Sequence, residues 1–366
     1  MKRTKTILLC MLATVVALTS CVKESVNFST SEGEETEVTI MATVPGTAEN
    51  TSRALSDADE IKITDIKVLV FESGSLKYAV KNATWDTPTA TTNGGSSQFP
   101  IRFTTLVTAV NQNFVVIVNG ASRISAASPA IAVGQTKTDI QNKLIDAALT
   151  ATNGTGWWDS SAGKTIPMSG EVSSAVTANI TISSALNLVR TMARINITVG
   201  SLPSGKSFTF ESVGLYNTSR NGYLMNVATP NTAWRWERSA TTPTVNDHYI
   251  YGSTHVTNSG RTMDNVIYTF PYIARDNTVP TTLVVKGILV DGSTTHPSSF
   301  YKIEMMDGAS ARAITRNSSY NVTISDVKGA GYPTEPEVFT STTVTMNATI
   351  TQWSPVGIST DLEGPL

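Results

Sequence analysis

"EVTIMATV", residues 37 to 44, sends Val38, Ile40, Ala42 and Val44 to one side of an extended chain and Glu37, Thr39, Met41 and Thr43 to the other. A repeat of two is the pattern of a strand with one buried face. The same alternation returns in "ITDIKVLVF" (63–71), "NFVVIVNG" (113–120), "ARINITVG" (193–200), "KSFTFESVGLYN" (206–217), "TTLVVKGILV" (281–290), "FYKIEMM" (300–306), "SYNVTISDV" (319–327) and "TVTMNATI" (343–350). Thr, Val, Ile and Ser dominate these segments and suit a pleated, half-buried surface. The chain therefore reads as an all-β protein. One stretch breaks the pattern: "TKTDIQNKLIDAALT" (136–150) puts Ile140, Leu144, Ala147 and Ala148 on one helical face, with Thr136 or Thr138 as the N-cap. Gly/Ser/Thr-rich stretches at 87–97 and 151–164 read as exposed loops. A composition change over "EVSSAVTANITISSAL" (171–186) is the expected boundary between two β domains.

The N-terminus has the three parts of an export signal: Lys2, Arg3 and Lys5, an apolar run from Ile7 to Leu18, then small residues. That run is too short to span a bilayer, which takes about 20 apolar residues. It ends in "LTSC" (18–21), similar to a bacterial lipobox, whose cysteine accepts diacylglycerol. The alternative is an ordinary secretory signal with an incidental cysteine. The chain has two cysteines, and Cys10 lies inside the signal, so Cys21 is the one expected to remain. With a single thiol the mature chain can form no internal disulfide and no Cys-based metal cage. Acyl chains on Cys21 would hold the product on a membrane, each buried methylene contributing about 0.8 kcal/mol. The division expected is residues 1–20 as signal, 21–53 as an N-terminal arm, 54–185 and 186–366 as two β domains.

Charged residues make up 15% of the chain and the net charge is -2, so the basic footprint of a nucleic-acid partner is missing. Enzyme chemistry finds no constellation either. His248 and His255 are separated by a turn-like stretch with no carboxylate-rich partner, and His296 precedes a proline. Glycines in "NGTGWWDSSAGK" (153–164) lack the spacing of a phosphate-binding loop, and a nucleophile elbow is absent. No catalytic residue, cofactor or metal is expected. Trp157 and Trp158 form a candidate platform for stacking on sugar rings, with covering a sheet edge or packing within the loop as the plain alternatives. Trp234 and Trp236 read as alternating strand residues in a core or cross-strand pair.

Working outward from the opening strand, a second one matches it. "VTIMATV" (38–44) and "VTMNATI" (344–350) both present large, large, small, large on one face: Val38, Ile40, Ala42, Val44 against Val344, Met346, Ala348, Ile350. Strand pairing supplies main-chain hydrogen bonds whatever the sequence, and the alternate side chains select the strand. One groove could thus accept either segment. Arg53 stands nine residues beyond Val44 and is the sole basic residue between Glu24 and Ile61, a window with nine carboxylates. Such polar segments are the ones proteases cut. An arginine-specific protease acting on Arg53-Ala54 would free the arm and empty the groove for the last strand of another copy. Head-to-tail filling of this kind makes filaments. Chance similarity between two Val/Thr-rich strands is the alternative.

Beyond these points the chain resembles the fimbrillin, or type V pilin, family of Bacteroidetes lipoproteins. The resemblance rests on the lipobox, "TSRAL" (51–55), "IKVLVFES" (66–73), "IPMSGE" (166–171), "LVRTMARINITV" (188–199), "VGLYNTSRNGYL" (213–224) and "ITRNSSYNVTISDVKGAG" (314–331), in that order. It implies two transthyretin-like antiparallel β-sandwich domains, and the short helix read at 136–150 would fall in the N-terminal one. It also implies an outer-membrane lipoprotein precursor lipidated at Cys21, cleavage at Arg53-Ala54, and donor-strand exchange with other copies and accessory pilins in a surface fimbria. The donor would come from the segment around 340–366, either the 344–350 strand or the "GISTDLEGPL" tail (357–366). Stalk, anchor and tip subunits share this architecture, and a monomeric glycan-binding surface lipoprotein is the runner-up. In "RNSSY" (316–320), Arg316 and Asn317 are expected to close a turn, with the Tyr320 ring anchoring a strand and its hydroxyl in water.

Overall fold

In the computed structural model the described residues are 33–44, 61–88, 97–146, 165–227, 229–238, 248–252, 256–340 and 346–353. The major strands in chain order are β1 (Glu35–Val44), β2 (Ile66–Glu72), β3 (Ser97–Leu106), β4 (Thr108–Val118), β5 (Met168–Val176), β6 (Ile180–Asn187) and β7 (Ala193–Val199). They continue with β8 (Lys206–Tyr216), β9 (His248–Tyr251), β10 (Thr262–Thr269), β11 (Thr282–Asp291), β12 (Ser299–Glu304), β13 (Ser319–Val327) and β14 (Met346–Trp353). Short helices α1 (Ala121–Ala126), α2 (Lys137–Lys143) and α3 (Glu337–Thr340) decorate them.

Four sheets organise these strands in two pairs. In the first pair, β6, β1, β3 and the short Thr84–Trp85 strand form one sheet, in that order. Its companion runs Val189–Arg190, β5, β4, β2, Ser75–Leu76. The inward residues of both meet in one core, with Val38, Ile40, Phe99, Ile101, Val68, Phe114 and Val116 among its members. In the second pair, one sheet runs β10, β7, β13, β14 and the other β9, β8, β11 with β12 also on β11. Ile195, Ile197, Phe208, Leu215, Val285, Tyr301 and Val322 belong to the core between these two. Most pairings are antiparallel, but each half contains one parallel pair, β1 with β6 and β7 with β13. Residues 171–186, the expected boundary, form most of β5 and β6, and Leu186 and Leu188 pack into the first core.

The helix expected over 136–150 is shorter. Thr136 caps α2 by accepting a hydrogen bond from Asp139 N, as its hydroxyl allows. The helix stops at Lys143 because Ile145–Asp146 pairs instead with Gly222–Tyr223. Ile140 and Leu144 are buried, whereas Ala147 and Ala148 lie outside the described residues. The apolar side of α2 covers the outer face of β2 and β4, in a cluster with Leu69, Phe71, Val115 and Ile117. That cover explains the unbroken apolar runs "VLVF" and "FVVIV", since a strand buried on both faces has no polar side.

Leu224 and Met225, from the segment after β8, enter that same cluster and join the two halves. Gly222, just before them, lies against Phe270: a Cβ there would lie 2.2 Å from Phe270 Cδ1. Arg316, 1% exposed, ties the joint. Its Nη2 donates to Tyr223 O at 2.6 Å, and its Nη1 to Met225 O at 3.2 Å and Asn226 Oδ1 at 3.3 Å. Burial lowers its guanidinium from the ordinary value to about 10. Within the first half, Asn119 takes a positive φ of 57°, its Nδ2 donating to Lys62 O and Ile166 O at 2.8 and 2.9 Å.

Candidate functional site

β1 lies in the interior of its sheet. Ten successive residues, Glu35 to Val44, pair antiparallel with Leu106 to Ser97 of β3. On its other side β1 runs parallel to β6, Val38 against Ile180, Ile40 against Ile182 and Ala42 against Leu186, with a register shift between Ile40 and Ala42. Val38, Ile40, Ala42 and Val44 are each 0% exposed. Full burial of a Val or Ile side chain is worth about 1.5–3 kcal/mol, so the three larger ones are a substantial part of the adhesion of this strand. Glu35 and Glu37 on the opposite face are exposed and Thr39 and Met41 half-buried.

Taking β1 away would leave a slot with two strands' unpaired main chain on its walls, β3 and β6, and an apolar floor from the companion sheet. Phe103 and Phe114 meet across that interior at 5.6 Å between ring centroids. Leu186 presses on β5, where a Cβ on Gly170 would come within 3.1 Å of Leu186 Cδ1 and 2.4 Å of Asn187 O. Near the start of β1, Asn179 N donates to Thr36 Oγ1 at 2.7 Å. The slot is thus defined by hydrogen-bonding edges along its length and by side-chain size at each inward position.

β14 is placed differently. It lies at the end of its sheet, paired antiparallel with β13 from Trp353 against Ser319 to Met346 against Val327. Met346 is 4% exposed, while Ala348 and Ile350 are partly buried and pack against the second core. Val344 lies outside the described residues, as do the 357–366 tail, Cys21, Arg53, Ala54, Trp157, Trp158 and His255. The two matching segments therefore sit in different sheets, one central and one at an edge.

No family model matches the chain, and no curated protein matches it. Solved structures do. A candidate cell adhesion protein from Bacteroides eggerthii aligns over 88% of this chain and 97% of its own at a TM-score of 0.57 and 19% identity. A fimbrillin from Porphyromonas gingivalis aligns over 87% and 97% at 0.54 and 14%. A candidate cell adhesion protein from Parabacteroides distasonis aligns over 89% and 98% at 0.50 and 16%.

The chain has the fimbrillin fold. At such identities the likeness is one of fold, and it spans nearly the whole length of each partner. Within this fimbrillin fold the remaining candidates fall as follows. Trp236 is 5% exposed and belongs to the second core. Trp234 is not a strand residue: Asn231 caps a short 3₁₀ turn, Thr232–Trp234, by accepting from Ala233 N, and the indole packs on Tyr223 at 4.5 Å between centroids. An Asn three residues before the indole is the local signal for that turn. His248 opens β9 and His296 lies in the loop before β12. Among the described residues no three His, Cys, Asp or Glu side chains come together as a metal site would need.

The "RNSSY" turn departs from expectation at Tyr320. Asn317 takes a positive φ of 61°, as a tight turn requires, but the Tyr320 hydroxyl is not in water. It donates to Ala313 O at 3.0 Å and accepts from Thr315 N at 2.9 Å, with the whole side chain 0% exposed. Desolvation raises its ionisation above the ordinary tyrosine range. Arg316 likewise reaches beyond its own turn to the joint, a role visible only when residues 91 and 93 positions away are brought next to it.

Proposed function

We propose that this chain is a structural subunit of a surface fimbria, with no catalytic role. It is exported as a lipoprotein precursor anchored in the outer membrane through Cys21, cut after Arg53 by an arginine-specific protease, and polymerised by donor-strand exchange with other copies and accessory pilins. One observation carries the reading: β1 is a central strand whose four inward side chains are fully buried, which precedes the rest of its sheet in sequence and is followed by the segment holding Arg53. A cut at that arginine turns a covalent part of the sheet into a non-covalent occupant. The edge position of β14 supports it as donor, because leaving an edge breaks one strand pairing and leaving a centre breaks two. The adhesion proteins and the fimbrillin that share the fold add a surface role of the same kind.

Treatment of the purified full chain with an arginine-specific protease, followed by native electrophoresis and electron microscopy, tests this. A ladder or filaments are expected from the wild type. Arg53→Ala is expected to leave a folded monomer under the same treatment. If Arg53→Ala polymerises as well as the wild type, the trigger has been misassigned.

A further inference from the structure

The side chains beside the slot that β1 fills differ along its length. Ile40 stands between Ile101 of β3 and Ile182 of β6. Ala42 stands between Phe99 and Leu186, which are 2% and 0% exposed and belong to the same core. Phe99 and Leu186 are thus the strand neighbours of position 42 on its two sides, and a Cβ on Gly170 of β5 would come within 3.1 Å of Leu186 Cδ1. A methyl group is what fits between them, since added methylenes in a packed core force neighbours off their rotamers. Position 42 is therefore the narrow point of the slot.

We propose that Ala348 is the residue that sets the register of an incoming strand, by being the side chain small enough to seat between Phe99 and Leu186. This rests on the donor-strand reading above, with residues 344–350 of a second copy as the occupant. The alternatives can be threaded one by one. With Ala348 at position 42, Val344, Met346 and Ile350 fall at 38, 40 and 44. A slip of two residues in one direction brings Ile350 to the narrow point and leaves Ala348 in the wide place of Ile40. The opposite slip brings Met346 to the narrow point. Slips of one residue turn Thr345, Asn347 and Thr349 inward, since side chains alternate faces along a strand. One register survives. In its own sheet Ala348 is only partly buried, on an edge strand opposite Ile324, whereas Ala42 is 0% exposed.

The experiment uses the full chain, cut after Arg53, challenged with synthetic peptides spanning residues 342–353. The readout is release of the cleaved arm, followed by size exclusion and mass spectrometry. The wild-type peptide and an Asn347→Met peptide, altered on the outward face at the place of the half-buried Met41, are expected to displace the arm. An Ala348→Leu peptide is expected to be at least tenfold less effective. Equal displacement by the wild-type and Ala348→Leu peptides would overturn the register assignment while leaving strand exchange intact. Failure of every peptide to displace the arm would overturn the exchange reading, and the register assignment with it.

Discussion

β1 and β7 occupy corresponding places in the two halves. Each is the first strand of its half, each lies between a parallel partner (β6 or β13) and an antiparallel one (β3 or β10), and each buries an alternating apolar face. They differ in how they are tied. β7 passes within six residues, 200–205, into β8, and the turn is held by Gly200 N donating to Ile324 O and Lys206 N to Pro203 O. Its outward side chains are buried and bonded: Arg194 Nε donates to Ser319 Oγ at 3.2 Å and Asn196 Nδ2 to Asn321 Oδ1 at 2.8 Å. The outward face of β1 carries Glu35 and Glu37 in solvent. The same position in the fold thus holds one strand with polar bonds from its outward face and the other chiefly by main-chain pairing and shape, Thr36 Oγ1 adding one bond from Asn179 N. Main-chain pairing and shape are properties that a different strand can supply.

The largest expected effect that sharpens this contrast comes from paired truncations. Ile40→Ala and Ile195→Ala should each cost about 2–5 kcal/mol in the intact chain, measured by urea denaturation, since both side chains are 0% exposed. In assembled material the first substitution should have no effect on stability and the second should keep its full cost. Equal effects in both states would break the contrast. Arg316→Ala should cost about 3 kcal/mol, because its loss leaves carbonyls of Tyr223 and Met225 buried without a donor. Its effect should appear on the whole chain and leave release of the cut arm unchanged. Smallest is Tyr320→Phe, expected at about 1–2 kcal/mol from the unpaired Thr315 N–H and Ala313 carbonyl, confined to the half that contains β7.

Much of this fold is written locally. The alternation at 37–44 identifies β1 and its four inward residues, and Thr136 with Ile140 and Leu144 identifies α2. What sequence reasoning missed depends on partners distant in the chain. The end of α2 is decided by pairing with residues some 77 positions later, and the strand neighbours of β1 by a parallel pairing with β6. α1 was not foreseen, because "ASRISA" lacks an apolar stripe and none of its residues is buried. Trp234 was misread because alternation with Trp236 mimics a strand over so short a stretch. The Tyr320 hydroxyl was misread because its partners, Ala313 and Thr315, become close only when the turn folds back. The narrow point at Ala42 could be suspected from the small residue common to both matching strands, but its cause lies in Phe99 and Leu186.

The central claim is that the place of β1 is taken by a strand from another molecule. It is tested most directly by mass spectrometry of filaments purified after cleavage at Arg53, counting arm peptides from residues 21–53 per subunit. Filaments of subunits beginning at Ala54 and lacking the arm are the predicted result. Filaments that retain one arm for every subunit would contradict the claim.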